Sequence, residues 1–198
     1  MTRNIQIHMK TTEEKITGAF LSLYEEKPLE KISVKALAEK AGINRGTFYD
    51  HYLDIYDLYD RTLAAFTEDV IDIVKKLVGT FLSGDLSVVL ESYPAFYESH
   101  KQMLQIFFVI RPSVRLQKAL QQQVKSSICE NFGFAFDDMP VEGRYIMEYI
   151  TGGQLNLMTH WFVGQDPMDI ESLVRLIWQI NNSGPWPALL KILKENQA

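Results

Sequence analysis

Apolar residues recur every three or four positions along almost the whole chain, the spacing that places side chains on one face of an α-helix. The first such stripe includes Ile16, Phe20 and Leu23, begins after a capping-box pattern at Thr11 and ends at Pro28. The sequence contains no convincing strand pattern, repeat or low-complexity tract. It therefore predicts an all-α fold.

A pair of short helices joined by a glycine turn is predicted from Ser33 to Tyr52. Ser33 and Asn44 are favourable N-caps for the two helices, and Gly42 can adopt the left-handed conformation that often ends a helix. Phe48 and Tyr52 are four residues apart and face inward. This is the layout of a helix-turn-helix, whose second helix reads the major groove of DNA. The outer and leading surface of that helix then carries Arg45, Gly46, Thr47, Tyr49 and Asp50.

The run Arg-Gly-Thr-Phe-Tyr-Asp-His-Tyr at 45–52, preceded by Ala-Glu-Lys-Ala-Gly-Ile-Asn, resembles the N-terminal domain of the tetracycline-repressor (TetR) family of bacterial transcriptional regulators. The resemblance covers roughly residues 10–66. It implies a three-helix DNA-binding domain at 1–53, with its helix-turn-helix at about 33–52, and a helical effector-binding and dimerisation domain at 54–198. It also implies a homodimer that binds double-stranded DNA.

The resemblance places base-edge and phosphate contacts on the second helix of the pair, with a phosphate contact from His51 at its end. Small residues at 46 and 47 let the helix N-terminus approach a phosphate. Together with the capping residues and one nearby lysine, the predicted DNA-binding set is Ser33, Lys35, Asn44, Arg45, Gly46, Thr47, Tyr49, Asp50 and His51.

Two features depart from the family pattern. Many members carry lysines just after the recognition helix, where this chain has Leu53 and Ile55. Asp50 is negatively charged at a position that would lie close to DNA phosphates, which would repel it. It therefore either accepts a hydrogen bond from a cytosine amino group or pairs with an arginine of the protein. We expect Lys10, Lys35 and an N-terminal arm with Arg3 to supply part of the missing phosphate contact.

Composition and charge are compatible with this interpretation. The formal net charge is −5, yet residues 1–52 carry eight Lys or Arg against seven Asp or Glu, and the remainder carries twelve against eighteen. A local basic face matters more for DNA binding than the total charge. The apolar runs are far shorter than the roughly 18 residues of a membrane span. A single cysteine, Cys129, fits a reducing compartment, where we expect it to be a buried apolar residue. We therefore expect a cytoplasmic protein without membrane contact.

Helices are predicted through the rest of the chain. A long helix begins near Asp54, whose side chain can cap it, and a break follows at 79–87. Further helices are predicted at 87–98, 100–110, 113–131, 141–163, 169–181 and 186–195. The long helix would join the two domains.

Aromatic residues and methionines crowd parts of the C-terminal half, where they either pack in the core or line a pocket for an apolar or aromatic effector. The candidates for the pocket are Tyr93, Phe96, Tyr97, Met103, Phe107, Phe108, Met147 and His160.

The family dimerises through two late helices, which correspond by order to 141–163 and 169–181. A Gly-Gly pair in the first of them either allows close helix approach or marks a kink. The candidate interface residues are Tyr149, Gly152, Gly153, Leu155, Met158, Trp161, Leu173, Leu176, Ile177 and Trp178.

Catalytic chemistry has little support in the sequence. The four histidines lack a second ligand one helical turn away, and no phosphate loop or dinucleotide motif is present. We expect no catalytic residue, no metal and no cofactor. The leading hypothesis is a ligand-responsive homodimeric repressor that binds an inverted repeat. The alternatives are a regulator of the same fold whose C-terminal domain docks a partner protein, and a ligand-binding enzyme.

Overall fold

A computed structural model describes residues 11–133, 135–164 and 168–195. Within these ranges the chain is helical and contains no strand, which confirms the predicted all-α fold. Lys10 and the N-terminal arm with Arg3 lie outside the described residues. Internal contacts divide the chain into two compact units, one ending at Ala64 and the other beginning at Ala65. The predicted domain boundary after residue 53 stays a prediction.

The structure places nine α-helices in its described ranges: α1 (Thr12–Glu26), α2 (Val34–Ala41), α3 (Arg45–His51), α4 (Ile55–Ser83), α5 (Ser87–Gln105), α6 (Val114–Phe132), α7 (Val141–Val163), α8 (Ile170–Ser183) and α9 (Pro185–Glu195). Short 3-10 helices cover Leu29–Lys31 and Phe136–Asp138, and a π-helix covers Ile106–Ile110.

The first unit is built around a small apolar core. Ile16 and Phe20 of α1, Leu37 of α2 and Phe48 of α3 are fully buried, and Leu58 of α4 joins them in the buried set. At the start of α1 the predicted capping box is present, with the Thr11 hydroxyl and the residue-14 carboxylate each accepting a backbone N–H from the other. Capping and burial together define the orientation of the short helices that follow.

The second unit contains two buried apolar clusters. One includes Ile128, Met147 and Leu189, and the other joins Ile73 of α4 to Val89 of α5 and to α8. Each cluster draws on several helices that are distant in sequence. Packing between these helices, rather than local propensity, therefore holds the unit together.

Two predicted helix boundaries are wrong. The helix α4 continues through Gly79 to Ser83, and the chain turns only at Gly84, whose φ is +77°. A glycine costs a helix roughly 1 kcal/mol relative to alanine, and burial of the neighbouring Val78 side chain offsets that cost. Residues 87–105 also form one helix rather than two.

None of the helices in the described ranges is both long enough and apolar enough to cross a bilayer.

Candidate nucleic-acid interface and internal cavity

The N-terminus of α3 is capped by Asn44, whose side chain accepts two hydrogen bonds. The Asn44 Oδ1 atom accepts the Thr47 N–H at 2.7 Å and the Thr47 hydroxyl at 3.1 Å, which confirms the predicted cap. A Cβ at position 46 would lie 3.1 Å from the same oxygen, so a residue larger than glycine crowds this cap. The preceding turn uses Gly42 with φ +68°, in the left-handed region that favours glycine.

The two faces of α3 differ in burial as the sequence predicts. Phe48 is fully buried and Tyr52 is nearly so, whereas Tyr49 is 58% exposed and Arg45 and Asp50 are exposed. In the described part of the chain neither Arg45 nor Asp50 has an ion-pair partner. The arginine pairing considered as one role for Asp50 is therefore not present there. The exposed face is therefore available for an external partner, and its assignment to DNA stays a prediction.

Three other members of the predicted DNA-binding set make local contacts or stand exposed. The Ser33 hydroxyl accepts the Ala36 N–H at 3.2 Å and caps α2, and Lys35 is exposed in the first turn of that helix. His51 is half-buried, with its Nδ1 atom 3.4 Å from a carboxylate oxygen of Glu13.

The turn between α3 and α4 is held by Asp57. Its Oδ2 atom accepts the Leu53 N–H at 3.0 Å, and its Oδ1 atom accepts the Arg61 Nε–H at 2.9 Å. These bonds, the backbone bond first, hold the pKa of the Asp57 carboxyl below its usual value. Asp54 caps α4, as predicted, by accepting the residue-57 N–H at 2.8 Å. Leu53 is 78% exposed on this turn, while Ile55 is only 6% exposed.

The second unit contains a mainly apolar cavity of about 100 Å³. Helix α4 contributes one wall, and α5, α6, α7, α8 and the π-helix contribute the others. The lining residues are Val70, Ile73, Val74, Leu77, Tyr93, Phe96, Leu104, Phe108, Leu120, Gln121, Val124, Thr151, Gln154, Leu155, Met158, Phe162, Val174 and Ile177.

Three of the eight predicted pocket residues, Tyr93, Phe96 and Phe108, line this cavity. The other five lie elsewhere, because aromatic and methionine side chains serve core packing as readily as they line cavities. Those five are Tyr97, which packs against aromatic rings of α7, Met103, which is half-buried, Phe107, which stacks on α4, Met147, which is fully buried in the core, and His160, which is exposed.

The polar atoms of the cavity fall into two groups. The Thr151 hydroxyl donates to the Met147 carbonyl at 2.9 Å, and the Tyr93 hydroxyl lies 3.7 Å from the Met158 sulfur. Burial raises the pKa of Tyr93, so its hydroxyl stays neutral. By contrast, the amides of Gln121 and Gln154 have no side-chain hydrogen bond within the described chain, and both residues line the cavity.

The predicted dimer-interface residues are divided between the surface and the interior. Tyr149 is 67% exposed, and Gly153 is exposed beside it in a shallow groove between α7 and α8. The remaining members face inward or are partly covered. Leu155, Met158 and Ile177 line the cavity, Leu173 is buried, and Gly152, Trp161, Leu176 and Trp178 are partly buried.

Among the described residues, the glycine pair on α7 has no close neighbour from another part of the chain. Apart from the backbone of α7 itself, a Cβ at Gly152 or Gly153 would meet no described atom within 4 Å, and α7 continues unbroken through both residues. Close approach of another helix of the same chain therefore does not explain the pair. Its outer side is open space.

Cys129 is buried in the core cluster that contains Met147, and burial raises the pKa of its thiol. Across the described ranges, the side chains of His, Cys, Asp and Glu form no group of three that could hold a metal ion.

Sequence reasoning missed the α4 wall of the cavity and the two glutamines. Val70, Ile73 and Leu77 belong to the apolar stripe of the long helix, and a stripe gives no sign of which of its members faces empty space. Gln154 offered one usable signal, because Ile150 and Met158, one helical turn before and after it, are apolar, whereas Gln121 is the first of three consecutive glutamines and offered none.

Comparisons with known proteins agree with this geometry. The family model for the N-terminal domain of bacterial regulatory proteins of the tetR family matches residues 16–62. Comparison with curated protein sequences finds no significant match.

Several solved structures have the same fold at low sequence identity. The fatty acid degradation regulator FadR from Bacillus halodurans has a TM-score of 0.58 at 16% identity, covering 89% of this chain and 97% of that one. A tetR-family transcriptional regulator from Streptomyces coelicolor has a TM-score of 0.57 at 15% identity, with coverage of 96% and 90%. The dihydroxyacetone kinase operon activator DhaS has a TM-score of 0.51 at 18% identity, with coverage of 92% and 96%. Residues 16–62 thus match the N-terminal domain of the tetR family of bacterial regulatory proteins, and the chain has the same fold as the solved tetR-family transcriptional regulator.

Proposed function

We propose that this protein is a homodimeric transcriptional repressor that binds an inverted-repeat operator in the cytoplasm and is released by a small-molecule effector. The observation that carries the proposal is the combination of an exposed, capped recognition helix in one unit with an apolar cavity in the other. A concave cavity lined mainly by hydrophobic and aromatic side chains is the usual form of a small-molecule site. It favours a small molecule over a partner protein as the effector.

DNA reading is assigned to the exposed face of α3. The Arg45 guanidinium can donate to a guanine edge or to a phosphate, and the Tyr49 ring and hydroxyl can contact a thymine methyl or a phosphate. Asp50 supplies an acceptor for a cytosine amino group. The glycine at 46 lets the start of the helix approach the DNA closely without a side chain in the way.

Dimerisation is assigned to the outer face of α7 and its groove with α8. Tyr145 and Tyr149 are exposed one turn apart, Gly153 follows at the same spacing, and Ile180 of α8 is also exposed. Exposed tyrosines beside a helix position without side chains suit the close packing of a second helix. A two-fold axis through this face would bring the same surface of a second copy onto it.

Coupling between effector and operator is assigned to α4. This helix is continuous from Ile55 to Ser83, and its residues Val70, Ile73, Val74 and Leu77 form one cavity wall. In this proposal α4 has one position in the DNA-bound protein and another in the effector-bound protein. An effector that binds the second position more tightly weakens DNA binding by the difference between its two binding free energies. Repression needs only that the protein occupies the operator. DhaS, which has the same fold, is named an operon activator, so activation is the alternative to repression.

The test is selection of DNA from a random pool with purified full-length protein, followed by light scattering of the protein alone. We expect enrichment of an inverted repeat and a dimer at micromolar concentration. Enrichment of single half-sites together with a monomer would contradict the proposal. A reporter gene placed behind the selected sequence then distinguishes repression from activation.

A further inference from the structure

We propose that Arg61 is a positioning residue for the recognition helix: its guanidinium connects the C-terminal end of α3 to the first turns of α4 and holds α3 at the angle that reads DNA. This inference rests on the proposed DNA-binding function and adds to it a residue that lies outside the reading face.

The recognition helix is too short to determine its own position. It has seven residues, roughly two turns, and a helix of this length is marginal in isolation. Its N-terminus is capped by Asn44 of the preceding turn. The carbonyl groups of its last turn have no partner inside the helix and are open to a donor from elsewhere. The C-terminal end is therefore the place where another helix can hold α3.

Arg61 of α4 contacts this end of α3. Its Nη1 atom lies 3.5 Å from the carbonyl oxygen of His51, the last residue of the helix. Its guanidinium carbon lies 5.5 Å from the ring centroid of Tyr52, the C-cap residue. A cation is attracted both to the C-terminus of a helix and to the face of an aromatic ring. Arg61 thus contacts the two residues at which α3 ends.

The direction of the Arg61 side chain is set by Asp57, one turn earlier on α4. The Arg61 Nε–H donates to the Asp57 Oδ1 atom at 2.9 Å, and the Oδ2 atom of the same carboxylate accepts the Leu53 N–H. A guanidinium carries its N–H donors in a fixed planar arrangement, so one group serves the carboxylate and the His51 carbonyl at the same time. The ammonium group of a lysine lacks this arrangement.

Tyr52 is a fixed group rather than a mobile surface side chain. It is 9% exposed, its side chain is hydrogen-bonded to Thr17 of α1, and its ring centroid lies 5.8 Å from that of Phe48. Arg61 itself is 59% exposed, and an ion pair this exposed adds little to stability. We therefore expect loss of Arg61 to change the position of α3 more than the stability of the fold.

The experiment measures binding of full-length Arg61→Met to the selected operator and to random DNA over a range of salt concentrations. We expect operator affinity to fall about three- to tenfold, because the reading position of α3 is less populated without these contacts. Affinity for random DNA and the slope of log affinity against log salt should stay those of the parent. If Arg61 instead bound a phosphate directly, both affinities would fall and the slope would flatten by about 0.9 for each lost contact.

Two further variants separate geometry from charge. Arg61→Lys keeps the charge and loses the planar set of donors, so we expect it to weaken operator binding as well, whereas a lysine would preserve a direct phosphate contact. Arg175→Met is the matched control, since Arg175 of α8 is similarly exposed at 54% and forms the same kind of pair with Glu171 one turn away. We expect its operator affinity to equal that of the parent.

Amide hydrogen exchange of the free protein gives a readout that does not depend on DNA. We expect the amides of α3 and Tyr52 to exchange faster in Arg61→Met than in the parent, with exchange in α6 unchanged. A direct phosphate contact would leave exchange of the free protein as it is.

Three results would overturn the inference: operator affinity of Arg61→Met equal to that of the parent, an equal loss for operator and random DNA with a flattened salt slope, or a lowered thermal midpoint with normal operator binding by the folded fraction. Each of them leaves operator binding by the parent intact, so only the role of Arg61 would be wrong. If the parent selects no operator, the proposed function fails and this inference fails with it.

Discussion

Phe66 of α4 and Phe107 of the π-helix are stacked, with ring centroids 5.6 Å apart and an interplanar angle of 26°. Both rings are almost fully buried. The next residue, Phe108, lines the cavity and packs against Phe162. The π-helix thus presents one ring to the cavity and the neighbouring ring to α4. The segment that lines the cavity through Phe108 is therefore the same short segment that contacts α4 through Phe107.

A double-mutant cycle tests this stack as a specific interaction. We expect Phe66→Leu and Phe107→Leu to destabilise the protein individually, and their effects to be non-additive by about 0.5–1.5 kcal/mol, the range for aromatic pairs. Urea denaturation of the parent, the single variants and the double variant gives the coupling. Additive effects would show that the two rings fill space independently.

The exposed face of α3 should matter for DNA and not for folding. We expect Tyr49→Ala and Thr47→Ala each to weaken operator binding by about 1–3 kcal/mol. The thermal midpoint should stay nearly unchanged in Tyr49→Ala and fall slightly in Thr47→Ala, which loses the hydroxyl bond to Asn44. Phe48→Ala is the matched control, because loss of this fully buried ring should cost about 3–5 kcal/mol of stability. If Tyr49→Ala strongly lowers the thermal midpoint while the folded fraction binds DNA normally, Tyr49 belongs to the folding core and not to the DNA-binding face of α3.

Asp57 should stabilise the turn after α3 in a pH-dependent way. Its pKa is lower in the folded protein than in the unfolded chain, so its contribution is present above the unfolded pKa of about 4 and is lost as the pH falls through the folded value. We expect the parent to be more stable than Asp57→Asn at pH 6 and the difference to shrink below about pH 4. Chemical denaturation at several pH values measures it. A difference independent of pH between 6 and 3 would rule out a role of the charge.

Cys129 should report opening of the second core cluster. Its thiol is buried and its pKa is raised by burial, so both access and thiolate content are low in the folded state. We expect a thiol reagent at pH 8 to label the native protein far more slowly than the urea-unfolded protein. Labelling of the native protein as fast as that of the unfolded chain would place the thiol at the surface.

The sequence predicted local features better than the interior of the second unit. Caps at Ser33 and Asn44 and the buried side of α3 follow from spacing and side-chain chemistry within a few residues, and the structure confirms them. The cavity is a space that several helices, distant from one another in sequence, leave unfilled where they pack together. The spacing of residues within one helix carries no information about such a space. Periodicity could not separate Phe108, which lines the cavity, from Phe107, which stacks on α4.

The turn after the recognition helix offers the sharpest test of docking on DNA. Leu53 is highly exposed where related proteins often carry a lysine, so we expect Leu53→Lys to add one phosphate contact per subunit without cost to folding. Because phosphate contacts position without specifying sequence, binding to operator and random DNA should tighten alike. The slope of log affinity against log salt should steepen by about 0.9 for each contact. The buried Ile55, replaced by lysine as a control, should instead lower the thermal midpoint. An affinity and salt slope equal to those of the parent in Leu53→Lys would show that this turn stays away from the DNA backbone.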